Sequence, residues 1–257
     1  MIKIKVLNNE LSNFDICKSG FSLLIKYDNI KILFDTSIEN EISENSKKFN
    51  ENLNDVNYVI LSHGHSDHCN GLINLNFDNA KLITHPLSIK KRFWNNIQVG
   101  PSWKFDEIKN KFNEIILTKE LYKINDNIIF LGEIKINKYP IDKDIEYFIN
   151  KKISKYEDDS ALLIKTTKGL IVVTGCSHKD IRNIILYAQE ITENKIYAVV
   201  GGFHLFDIKN AKETLNFFKE KNIKKIYPLH CLSKEVFDLF EKNGFKKLKS
   251  GDELLFN

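Results

Sequence analysis

The stretch Val56-Asn57-Tyr58-Val59-Ile60-Leu61-Ser62-His63-Gly64-His65-Ser66-Asp67-His68 sets the reading of this chain. Its first half is apolar and predicts a strand over residues 56–61. Its second half places three imidazoles and a carboxylate within six residues, directly after that strand. In extended backbone, side chains two residues apart point the same way, so His63 and His65 can grip one ion together. A turn into a helix would then carry Asp67 and His68 beside that ion, where they could hold a second. Imidazole and carboxylate suit zinc, iron or manganese. A loop of solvated histidines would need neither this density nor this spacing.

Outward from the cluster, strands and helices alternate. Residues 1–7 alternate apolar and polar and predict a half-buried strand. Residues 21–27 and 30–34 flank Asp28-Asn29, a two-residue turn signal, and predict a hairpin. A helix is expected within 38–53, and a strand over 80–84 runs into His85-Pro86. The second half repeats this rhythm. Residues 161–167 and 169–174 predict another hairpin around Lys168, and Ile181, Ile184, Ile185, Ala188 and Ile191 fall at helical spacing. Strands over 196–200 and 225–227 each end at a histidine motif, with a helix over about 210–221 between them. Chemistry-bearing residues thus sit at strand ends, on loops carried by a sheet.

Composition narrows the function classes. The 257 residues carry a formal charge of +4, from 38 basic and 34 acidic side chains. This near balance argues against a dedicated nucleic-acid surface, and the Lys-rich stretch Lys246-Lys247-Leu248-Lys249 reads as a solvated face. No run approaches the roughly 18 apolar residues of a membrane span, and the N-terminal pattern is not that of a signal peptide. A cytoplasmic protein is the expectation. The four cysteines, Cys17, Cys69, Cys176 and Cys231, form no C-x-x-C pair and fit a reducing compartment. Neither a G-x-S-x-G elbow nor a P-loop is present, so serine-nucleophile and nucleotide-loop readings fall away. One domain over 1–257 is expected, with an insertion near 87–127 beside the site. There Lys90, Lys91, Arg92, Trp94 and Trp103 either cover the core or wall the site, where a base could meet a phosphate.

Further motifs carry a resemblance. Leu33-Phe34-Asp35-Thr36-Ser37, Leu131-Gly132-Glu133-Ile134, Glu157-Asp158-Asp159-Ser160-Ala161-Leu162, Thr174-Gly175-Cys176-Ser177-His178, Gly201-Gly202-Phe203-His204-Leu205 and Pro228-Leu229-His230-Cys231, together with the histidine cluster, resemble the metallo-β-lactamase superfamily. The combination is similar to the subgroup named for the synthase that joins a dihydropterin to a ribofuranosyl-aminobenzene phosphate. The resemblance implies an α/β fold, a four-layer αββα sandwich with its site at one edge of the sheets. It implies one or two divalent transition-metal ions, zinc foremost, with iron or manganese as alternatives.

The same resemblance implies a ligand set of His63, His65, Asp67, His68, His178 and His230. His230 stands in the position of the superfamily's final histidine and is assigned to the second ion, with His204 as the alternative there. Where many members carry a bridging aspartate after Thr-Gly, this chain has Cys176. His178 is preferred as third ligand of the first ion, while Cys176, Asp158 and Asp159 stay open as bridging or alternative ligands. Asp67 and His204 are the candidate catalytic residues, and the glycines beside His204 would let a substrate approach. His85 would orient a ligand or touch substrate, and Asp35 would accept the remaining N–H of a ligand histidine. The implied activity is hydrolysis of a phosphoester, lactone or related bond by metal-activated water on a small-molecule substrate, with phosphorylated substrates included. Transfer with a pyrophosphate leaving group, or metal-dependent ligand binding without turnover, are the alternatives. The oligomeric state is not legible in the sequence.

Overall fold

The structure, a computed structural model, describes residues 1–10, 20–141, 148–149 and 152–257; Cys17 lies outside them. In chain order the first elements are β1 (Ile2–Glu10), β2 (Gly20–Tyr27), β3 (Ile30–Phe34), α1 (Glu41–Lys48), β4 (Tyr58–Leu61), α2 (Ser66–Cys69), β5 (Lys81–Thr84), β6 (Arg92–Trp94), β7 (Ile97–Gln98), α3 (Phe105–Ile108) and β8 (Glu114–Leu117). They are followed by β9 (Tyr122–Lys123), β10 (Ile128–Phe130), β11 (Phe148–Ile149), β12 (Lys152–Ile153), β13 (Ala161–Thr166), β14 (Gly169–Thr174), α4 (Ile181–Thr192), β15 (Ile196–Gly201), α5 (Ile208–Glu220), β16 (Lys225–Pro228), α6 (Lys234–Lys242) and β17 (Glu253–Phe256). These elements fall into two compact units, the first from the described parts of 1–119, 144–158 and 249–257, the second from 120–143 and 159–248.

The first unit is built on a seven-stranded sheet in the order β17-β1-β2-β3-β4-β5-β8. The β2–β3 hairpin turns at Asp28, which takes the left-handed conformation that Asp tolerates better than most residues. From β3 onward the strands run parallel, and such strands are apolar along their length, as Val59, Ile60 and Leu61 are. Leu24, Leu33, Val59, Leu61, Leu82, Trp103 and Ile108 are buried in one apolar cluster with Leu72 and Ile42. Trp103 is therefore a core residue of this unit. Phe34 pairs with Ile60 and Leu61 with Thr84. Asp35, Ser62 and His85, the next residues, therefore leave the sheet at one edge, the carboxyl end of its parallel strands. A small sheet, β12-β11-β6-β7, belongs to the same unit.

The second unit carries a six-stranded sheet in the order β16-β15-β14-β13-β10-β9. The β13–β14 hairpin is followed by β15 and β16 in parallel. α4 buries Ile181, Ile184, Ile185 and Ala188, with Asp180 capping its N-terminus through the Arg182 N–H. Thr174 pairs with Gly201 and Gly201 with Pro228. The loops holding Cys176, His204 and His230 thus also leave their sheet at the carboxyl ends of parallel strands.

Candidate metal centre

In the first unit one carboxylate organises the histidines. Asp35, fully buried, accepts from the Ser62 backbone N–H and hydroxyl, each at 2.7 Å, and lies 2.7 Å from His68 Nδ1. A carboxylate oxygen accepts, so His68 Nδ1 carries the proton of that bond and Nε2 is left as its ligand atom. The Ser62 hydroxyl has one proton, which goes to Asp35. His63 Nδ1, 2.9 Å from Ser62 Oγ, must therefore be the donor of their hydrogen bond. His63 then presents the lone pair of Nε2, 3.0 Å from Nδ1 of His65. Two imidazole nitrogens sharing one tetrahedral ion at bonds of ~2.0–2.1 Å would stand about 3.4 Å apart, so the pair is set almost at ligand spacing.

Backbone contacts hold this cluster in place. α2 starts directly after His65 and lifts Asp67 and His68, so that Asp67 Oδ2 lies 3.5 Å from His68 Nε2. The His63 and His68 ring centres are 4.2 Å apart, and those of His63 and His65 4.6 Å. The Thr36 N–H and hydroxyl both donate to the His68 carbonyl, and the Trp103 indole donates to that of Cys69. Cys69 itself is buried, and burial pushes its thiol well above the usual range.

Behind Gly64 lies a second buried carboxylate. Asp158 Oδ2 accepts from the Gly64 N–H at 2.9 Å, from the Arg92 guanidinium, and from the Ser88 hydroxyl at 3.4 Å. Burial works to raise its pKa, but Arg92 and the Gly64 N–H prevail and hold it below the usual carboxylate range. Arg92, fully buried, is thus committed to Asp158, and Lys90 and Lys91 are the exposed bases of that segment. His85, also buried, accepts the Leu87 N–H at Nδ1, which places its neutral-ring proton on Nε2.

In the second unit the residues after the three parallel strands form their own cluster. Cys176, His230 and Cys231 offer ligand atoms that all lie within 4.8 Å of one another, and the two sulfurs are 3.0 Å apart. The Cys176 contact, against the opposing effect of burial, holds the Cys231 thiol well below its usual range, aided by His230 and His204. The His178 and His204 rings are 4.3 Å apart. Asp159 accepts the Lys179 N–H at 2.8 Å and so fixes the loop that carries His178. Ser177, His204 and Cys231 all take left-handed backbone conformations, which non-glycine residues hold only when neighbours enforce them.

The donor chemistry fits a divalent transition metal in both units: buried imidazoles oriented by oxygen acceptors in the first, imidazole with thiols in the second. Sequence reasoning did not find the Arg92–Asp158 pair, the Ser62 relay between Asp35 and His63, or a role for Cys231. The adjacency of Cys231 to a histidine was the one local signal.

A buried histidine cluster at the carboxyl ends of parallel strands makes a candidate metal centre, and the comparisons give the family. The chain belongs to the metallo-β-lactamase superfamily, whose family model matches residues 16–147. It is 34% identical to an uncharacterized protein of Methanocaldococcus jannaschii, over 95% of this chain and 96% of that one. It is 30% identical to the 7,8-dihydropterin-6-methyl-4-(beta-D-ribofuranosyl)-aminobenzene-5'-phosphate synthase of the same organism, over 99% of this chain and 97% of the relative. The crystal structure of Tm1679, a metal-dependent hydrolase of the beta-lactamase superfamily, matches with a TM-score of 0.84 and 26% identity over 100% of both chains. The fold is accordingly that of the metallo-β-lactamases, a mixed α/β fold with six α-helices among the described residues.

Proposed function

We propose that the chain is a metal-dependent hydrolase of a phosphoester, lactone or related small-molecule bond. Its ligands in this reading are His63, His65, Asp67, His68, His178 and His230, with zinc as the preferred ion. The observation that carries the reading is the Asp35–Ser62–His63 relay, which turns His63 Nε2 toward His65 Nδ1 at 3.0 Å. These residues would hold divalent ions, whose chemistry when bound would be Lewis-acid polarisation of a phosphoryl oxygen and a lowering of the pKa of a water to about 7. The protein's own part is orientation: Asp35 keeps the imidazoles in the tautomers that present lone pairs, and the apolar strands beneath exclude bulk water. His204, partly exposed on the loop that follows β15, beside Gly202, is the side chain assigned to substrate.

The test is a panel of phosphomonoesters, phosphodiesters and lactones assayed with metal content measured in parallel. Turnover that is lost on chelation and in His63→Ala supports hydrolysis. A protein with bound metal that turns over none of them defeats it.

A second reading is favoured by the full-length similarity to the synthase. Here the chain is a transferase, with pyrophosphate leaving a dihydropterin as an aromatic amine bonds to carbon. Pyrophosphate release that requires both substrates together supports this reading, and its absence with both present excludes it.

A further inference from the structure

We infer that Cys176 and Cys231 are a reversible dithiol–disulfide pair, a modification site directed by the fold of the second unit. The two residues are 55 positions apart, on loops that follow β14 and β16, yet their sulfurs lie 3.0 Å from each other. Both loops are pinned. The Gly202 N–H donates to the Gly175 carbonyl, the Phe203 N–H to that of His230, and the Leu205 N–H to that of Cys231. Cys231 is held in a left-handed conformation at φ +54°. Closing to a bond of about 2.05 Å asks for an approach of ~1 Å. Access is asymmetric in the way disulfide formation uses: Cys231 is partly exposed and Cys176 buried. Cys69, by contrast, is packed in the apolar core of the first unit.

The oxidant is a peroxide. The Cys231 sulfur attacks one peroxide oxygen, forming a sulfenic acid and releasing water once the leaving hydroxide takes up the thiol's proton. The Cys176 sulfur then attacks the sulfenic sulfur and expels a second water, so two thiols and one hydrogen peroxide give one disulfide and two waters. A small dithiol reverses it by exchange. The pairing stands on the thiols alone and is independent of the hydrolase reading.

The test treats folded, pre-reduced protein with hydrogen peroxide, as purified and after chelation, and maps peptides without reduction. The expected result is a Cys176–Cys231 cross-link in at least one of the two preparations, a fall from the four thiols of the sequence to two, and full recovery with dithiothreitol. Cys69→Ser keeps the cross-link and Cys231→Ser loses it. Retention of all four thiols in both preparations overturns the inference. So does a spread of pairings matching that of urea-unfolded protein, or oxidation of the two cysteines only as separate acids.

Discussion

Asp35 shows how one side chain can set the protonation pattern of a whole cluster. Its carboxylate takes the Ser62 and His68 protons, and the consequence passes through Ser62 to His63. Asp35→Asn introduces a donor where an acceptor is needed and upsets both tautomers. Metal affinity should fall by about 10- to 100-fold, the range seen when the partner of a ligand histidine is removed, and titration calorimetry would measure it. Asp28→Asn, on an exposed turn, should leave affinity unchanged. Asp158 acts on the backbone of the same loop. Asp158→Asn strands the buried Arg92 charge and should cost roughly 3–5 kcal/mol in urea unfolding at neutral pH. Because the folded state depresses the Asp158 pKa, its stabilisation is complete above the unfolded value of about 3.9 and is lost as pH falls through the lower folded value. The gap between wild type and Asp158→Asn should therefore narrow on acidification below about pH 4; a gap constant with pH would refute this account.

At the scale of elements, the parallel strands end where the chemistry begins, and the turns after them are tightly fitted. Gly201 has φ +136°, and a Cβ there would stand 2.1 Å from the Thr174 carbonyl oxygen. Gly201→Ala should destabilise by more than about 4 kcal/mol, among the largest single-site effects. Gly244, at φ +87° with nothing near its missing Cβ, should cost only ~1–2 kcal/mol as alanine, the backbone penalty alone. Comparing the two urea midpoints isolates the effect of the close approach. The strands and α4 were legible because their cause is local: an apolar run for β4, a 3.6-residue period for α4. The histidine cluster was legible for the same reason, its ligand spacing being written within six residues. α6 and β17 went unread: β17 is four residues long, too short for a period to show, whereas α6 does place Val236, Phe237 and Phe240 on one face. Arg92 with Asp158, and Cys176 with Cys231, are 66 and 55 residues apart. Only the sheet register brings such partners together, so no local pattern could announce them.

For the molecule as a whole, bound metal should act as a folding ligand. At a free ion concentration 100 times Kd the linkage is worth about 2.7 kcal/mol, or roughly 5–10 °C in Tm for a chain of this size. Calorimetric melting with and without chelator checks it, and identical midpoints at verified metal loading would refute it. One pairing reaches further than stability. β17, residues Glu253–Phe256, is the edge neighbour of β1 along Ile2–Lys5, and the first unit is assembled from three separate stretches of chain. During synthesis β1 (Ile2–Glu10) leaves the ribosome long before β17 (Glu253–Phe256), its outer partner, exists. A nascent chain halted before residue 253 presents an open β1 edge, the kind of surface that recruits other strands. How soon β17 follows then matters to how much of the protein reaches its native sheet, alongside the finished contacts.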